Sequence, residues 1–142
     1  MPGCYFRVAG TNFDPDVFLA STCLNAYRVW HVGEPLAKAG LRASQFHESS
    51  GFACDVSAVD GDLDGQLQDA IAFLSANRAA LARLANDPTI QDRRLDFGFD
   101  CRLDDDNIAV QGEWLPVDFL QLVAELKIGV ALSLYPRTVD DA

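Results

Sequence analysis

Alternation of apolar and polar positions is the clearest signal in this chain. Cys4, Phe6 and Val8 recur at every second position over residues 4 to 9, the period of a strand with one buried face. The strongest case is residues 94 to 103. There Leu95, Phe97, Phe99 and Cys101 share one face, and Asp96, Gly98, Asp100 and Arg102 share the other, which predicts a strand with a wet side. Residues 26 to 32 are rich in β-formers and read as another strand. Residues 45 to 48 and 51 to 57 read as two more, joined at Ser49-Ser50-Gly51 by a hairpin turn. Residues 108 to 111 predict a short strand and residues 130 to 135 a terminal one.

The helical segments lie between these. Asp14 is placed to cap a helix and Pro15 suits its first turn; Val17, Phe18 and Leu19 supply the apolar side, with an end near Cys23 and Leu24. A long helical stretch runs from about Asp64 to Asn86, with Leu67, Ala70, Ile71, Leu74, Leu81 and Leu84 as its buried stripe. Asn77 is a point of interruption, and Asp87-Pro88 ends the stretch. Pro116 opens a last helix whose Phe119, Leu120, Val123, Ala124 and Leu126 should face inward, with Gly129 at its C-cap. Residues 33 to 43 and the acidic run 104 to 107 read as loops, and 137 to 142 as a frayed tail.

Strands with one wet face and helices on the other side predict an α+β fold. The expected form is a two-layer sandwich, mainly antiparallel, with helices on one face and a ferredoxin-like arrangement. No linker divides the 142 residues, so residues 1 to 142 read as one domain.

In this order and spacing, several short motifs resemble a widespread family of small bacterial proteins known only as a domain of unknown function. They are Tyr5-Phe6-Arg7-Val8-Ala9-Gly10 before Phe13-Asp14-Pro15-Asp16, and Trp30-His31-Val32-Gly33-Glu34. Ser50-Gly51-Phe52 with Val56-Ser57 follows, then Asp69-Ala70-Ile71-Ala72-Phe73-Leu74. Leu95-Asp96-Phe97-Gly98 and Leu132-Ser133-Leu134-Tyr135-Pro136 complete the set. The resemblance spans residues 4 to 136. It implies a bacterial, cytoplasmic, stand-alone α+β domain and transfers no catalytic residue.

Charge narrows the expected partners. A formal net charge of −10 repels nucleic-acid phosphates and anionic lipid and suits a basic protein. No secretory signal or apolar run of membrane-spanning length is read, so a cytoplasmic setting is expected. The cysteines Cys4, Cys23, Cys54 and Cys101 are widely spaced, and three of them fall in phase with apolar neighbours. They read as reduced core thiols.

Candidate chemistry is sparse. Asp60-Gly61-Asp62-Leu63-Asp64-Gly65 opens like a calcium loop, but its twelfth position is Ile71 in place of a carboxylate. An acidic helix start accounts for it. Asp104-Asp105-Asp106 reads as a solvated turn. Ser49, Ser50 and Ser57 lack the nucleophile-elbow spacing, and no glycine-rich phosphate loop occurs. No metal or cofactor is expected. Arg78 and Arg83 read as a solvated helix face.

Two function classes remain. One is a non-enzymatic domain that binds a basic protein, in the manner of an immunity protein, or binds itself as a homodimer. Trp30 and Trp114 would be its anchors if they share an exposed patch. The other is a small metal-dependent or hydrolytic enzyme using His31 and His47, the two imidazoles, with Glu34 and Glu48 close in sequence.

Overall fold

The computed structural model describes residues 3–103 and 108–136. It is an α+β fold built on one five-stranded sheet. The strands are β1 (Cys4–Gly10), β2 (Ala26–Trp30), β3 (Ser50–Ser57), β4 (Asp92–Asp100) and β5 (Gly129–Tyr135). Their spatial order is β2-β3-β1-β4-β5. The first three pairings are antiparallel and the β4–β5 pairing is parallel. The helices are α1 (Pro15–Ala20), α2 (Leu63–Ala76), α3 (Arg78–Ala85) and α4 (Val117–Glu125). A ferredoxin-like plan of four strands does not account for α4 and β5, which extend the sheet by a parallel strand.

The alternation read from the sequence decides which face is dry. Cys4, Phe6 and Val8 of β1, Phe52 and Cys54 of β3, and Leu95, Phe97 and Phe99 of β4 form one cluster. Phe18 of α1, Leu67 and Leu74 of α2, Leu81 and Leu84 of α3, and Phe119 and Val123 of α4 belong to the same cluster. All four helices therefore cover one face. Aromatic contacts tie the layers together: Phe18 stacks on Phe52 at 5.8 Å, and Phe97 meets Phe119 edge-on at 5.7 Å.

Local chemistry sets the helix ends. The Asp14 carboxylate accepts from the backbone N–H groups of Asp16 and Val17, with Pro15 in the first turn. Asp62 caps α2 in the same way, which fixes the acidic run as a helix start. Asn77 (φ −111°, ψ 18°) separates α2 from α3.

Several details depart from the sequence reading. Residues 45–48 form no strand, and Ser50 and Gly51 lie inside β3, so the expected hairpin turn is absent. β3 pairs instead with β2, and residues 31–49 make a folded connection with its own backbone bonds. These include Gly33 N–H to the His47 carbonyl and His47 N–H to the Glu34 carbonyl.

Residues 108–111 are not a strand either. Gln111 spends its side-chain amide on the Asp100 carbonyl and accepts from the Arg102 N–H. Cys101 lies one residue beyond β4 and is only half buried, and Cys23 is exposed. The helix α1 stops at Ala20, and Val17 points to solvent.

The end of α4 differs as well. Leu120 and Ala124 are exposed, while Phe119, Val123 and Leu126 are buried. The left-handed residue after α4 is Lys127 (φ 56°), not Gly129. The Ile128 N–H reaches the Val123 carbonyl and the Lys127 N–H the Ala124 carbonyl, a Schellman closure sealed by burial of Ile128 against Val123. Gly129 is thereby free to open β5. The turn expected at 104–107 and the tail from 137 lie outside the described residues.

Candidate functional site

The helix-free face of the sheet carries the remaining polar chemistry, arranged in rows by strand register. In one row Tyr5 of β1 stands between Asp55 of β3 and Asp96 of β4. In the next, Arg7 stands between Ala53 and Arg94, and Arg28 lies beyond Ala53. In the third, Ala9 is flanked by Gly51 and Asp92, and Gly51 by Trp30.

The 31–49 connection folds over the Trp30 end. Trp30 is only 2% exposed. Its ring lies 4.5 Å from the Arg7 guanidinium and 5.4 Å from that of Arg28, and it stacks on the His47 imidazole at 5.8 Å. Gly51 makes this possible, because a Cβ there would sit 2.7 Å from the indole. Burial, then the Arg28 charge, pushes His47 below its usual value. A shallow cleft of about 470 Å3 lies here, lined among others by Arg28, Glu34, Lys38 and His47.

His31, the next residue along, faces the helical side. Its Nε2 lies 2.5 Å from an Asp16 oxygen at the start of α1, and its Nδ1 contacts Glu34. Hydrogen bonds to Asp16 and then Glu34 raise its pKa. His31 and Glu34 thus meet, while His47 is engaged with Trp30 and His31 is not among the residues lining that cleft. Glu48 is exposed and lines neither cleft. The sequence-derived quartet is therefore not one cluster. No group of three or more side chains among the described residues is arranged to hold a metal ion. The expected aromatic pair is also divided, because Trp30 is buried and Trp114 is 75% exposed.

Away from Trp30 the face opens into a cleft of about 540 Å3, walled by Tyr5, Tyr27, Tyr135, Asp55 and Asp96. The Tyr5 hydroxyl donates to Asp96 Oδ2 at 2.9 Å, and the Ser133 hydroxyl donates to Oδ1 at 2.8 Å. Burial, then the hydrogen bond to Asp96, pushes Tyr5 up to about 12. Burial, followed by the charges of Asp96 and Asp69, raises the Cys4 thiol well above its usual value. Both groups stay protonated, which disfavours the Cys4 thiol as a nucleophile and leaves the Tyr5 hydroxyl as a donor. Ser57 donates to Asp69 at 2.6 Å, with no histidine between them.

Tyr5, Asp96 and Tyr135 fall within the short motifs of the resemblance, but no shared chemistry was read for these tyrosines and aspartates from the sequence. Asp96 was visible as a wet-face residue of an alternating strand. Tyr5 and Asp55 gain meaning only from the register that sets them side by side.

Comparisons with protein-family models, with curated proteins and with solved structures return no match. No helix among the described residues is long and apolar enough to cross a membrane.

Proposed function

We propose that this chain is a non-enzymatic binding domain that associates with a second copy of itself through the free edge of β5. The observation that carries the reading is the chemistry of that edge. The segment Gly129–Tyr135 has no charged residue, and among the described residues no strand lies beside its outer backbone groups. Exposed edges are ordinarily guarded by lysine, proline or a bulge. The opposite edge, β2, carries Arg28 and a register irregularity. On β5, Leu132 and Leu134 are 43% and 52% exposed, and the adjoining α4 exposes Val117 and Leu120.

Two copies with a net charge of −10 each repel at long range, so contact is favoured where charge is lowest. Antiparallel pairing about a two-fold axis at Leu132 sets Leu132 against its counterpart and Leu134 against Val130. The helices then continue along one side of a doubled sheet. A cytoplasmic setting fits four unpaired thiols.

Sedimentation equilibrium over micromolar to millimolar protein tests this. The wild type is expected to dimerise more tightly as salt screens the repulsion. Leu132→Lys, which brings two like charges together at the axis, is expected to weaken the dimer at least about tenfold. A strictly monomeric wild type refutes self-association. A complex with a basic protein would show the opposite salt dependence and would favour the other kind of partner.

A further inference from the structure

The bare end of the helix-free face has features of a ligand site that edge pairing through β5 leaves open. Asp55 and Asp96 flank Tyr5 on neighbouring strands, so their backbones stand two strand spacings apart, roughly 10 Å. The two hydroxyls donated to Asp96 take one lone pair from each of its oxygens and leave further acceptor sites. Asp55 is exposed and joins no ion pair among the described residues. Tyr27 and Tyr135 wall the cleft from β2 and β5.

The cations of this face are drawn elsewhere. Arg7 and Arg28 lie over Trp30. Arg7 Nε is 3.2 Å and Arg94 Nε 3.7 Å from Asp92. Among the described residues no lysine, arginine or histidine lines the cleft. Aromatic faces and carboxylates both attract cations, whereas an anion would meet two like charges. A volume of about 540 Å3 is within the range of small-molecule sites.

We propose that this cleft binds a small aliphatic diammonium ion, with one ammonium at Asp55, the other at Asp96, and the methylene chain across the Tyr5 ring. Two carboxylates placed by strand register on either side of an aromatic ring suit a molecule with charged ends and an apolar middle.

Isothermal titration calorimetry of the full chain with 1,4-diaminobutane tests the proposal. One saturable site per chain is expected. Asp55→Asn should weaken it by about fivefold, the upper end for an exposed ion pair. Asp118→Asn, an exposed acid on α4 outside the cleft, should leave it unchanged. Butylamine should bind about fivefold more weakly, because it can reach one carboxylate only.

Absence of saturation overturns the proposal. Equal weakening by Asp55→Asn and Asp118→Asn also overturns it, since the overall acidity would then be the attractant. Equal affinity for butylamine excludes the two-point mode. Tighter binding of N-acetyl-lysine amide would reassign the cleft to a lysine side chain of a protein and overturn the diamine.

Discussion

Gly51 tests how the covered half of the helix-free face is built. A Cβ at this position of β3 would lie 2.1 Å from the Val8 carbonyl oxygen, 2.7 Å from Trp30 Cζ2 and 3.0 Å from Ala9 Cα. The indole could swing away, but only by giving up its contacts with Arg7, Arg28 and His47. The Val8 oxygen cannot move easily, because β1 is held on both sides by β3 and β4. Gly51→Ala therefore forces β1 and β3 apart in the middle of the sheet.

Overpacking of this kind costs about 1–3 kcal/mol, and two backbone clashes put this case near about 3 kcal/mol. For a chain of this size that lowers Tm by roughly 6–12 °C. Thermal unfolding followed by circular dichroism gives the number directly. Trp30→Phe removes the indole clash but leaves the Val8 oxygen, so Gly51→Ala should still destabilise in that background, by a smaller amount. A Gly51→Ala protein melting within about 2 °C of the wild type would refute the account of close approach at Gly51.

Two further predictions bear on other parts of the fold. His31 is held by Asp16 and Glu34 with a raised pKa, so its stabilisation is fully present below its unfolded value of about 6.5 and fades as pH rises through the higher folded value. The urea-midpoint difference between wild type and His31→Gln should thus be larger at mildly acidic than at alkaline pH, and a pH-independent difference would count against the paired imidazole. Leu74, fully buried in the main core, should cost about 3 kcal/mol on replacement by alanine, whereas Leu120→Ala, at a position 43% exposed, should cost under about 1 kcal/mol; equal urea midpoints for the two variants would overturn the observed facing of α4.

How much of this was legible depended on whether the signal was local. The period-two runs around Phe6 and Phe97 predicted both their strands and their buried faces, because one-sided burial imposes that period directly. Asp14-Pro15 and Asn77 were equally readable, because a cap or a break acts within one helical turn. The readings that failed needed partners distant in sequence. Residues 45–48 have a strand-like composition, yet the structure holds them in a folded connection that stacks His47 on Trp30. Leu120 and Ala124 fit an apolar helical stripe, but the core they would enter is already occupied by Phe119 and Val123. Lys127 takes a left-handed conformation that the sequence suggested for Gly129, because burial of Ile128 against Val123 fixes where the chain must turn.

The same distinction explains why the sequence directed attention to histidines and the structure directs it to tyrosines. Histidine and glutamate invite a chemical reading wherever they stand, and His31-x-x-Glu34 proved to be a local pair. The backbone of His47 bonds to Gly33 and Glu34, but its imidazole is committed to the indole of Trp30. Tyr5 and Asp96 are 91 residues apart in sequence, and Asp55 reaches the same row through a different strand. Their association is a product of register, so a one-residue slip of β4 would carry Asp96 to the buried face. That slip is opposed by Leu95, Phe97 and Phe99, which would all have to leave the core. The apolar half of the alternation, plain in the sequence, is thus what holds the polar half in place to act as a site.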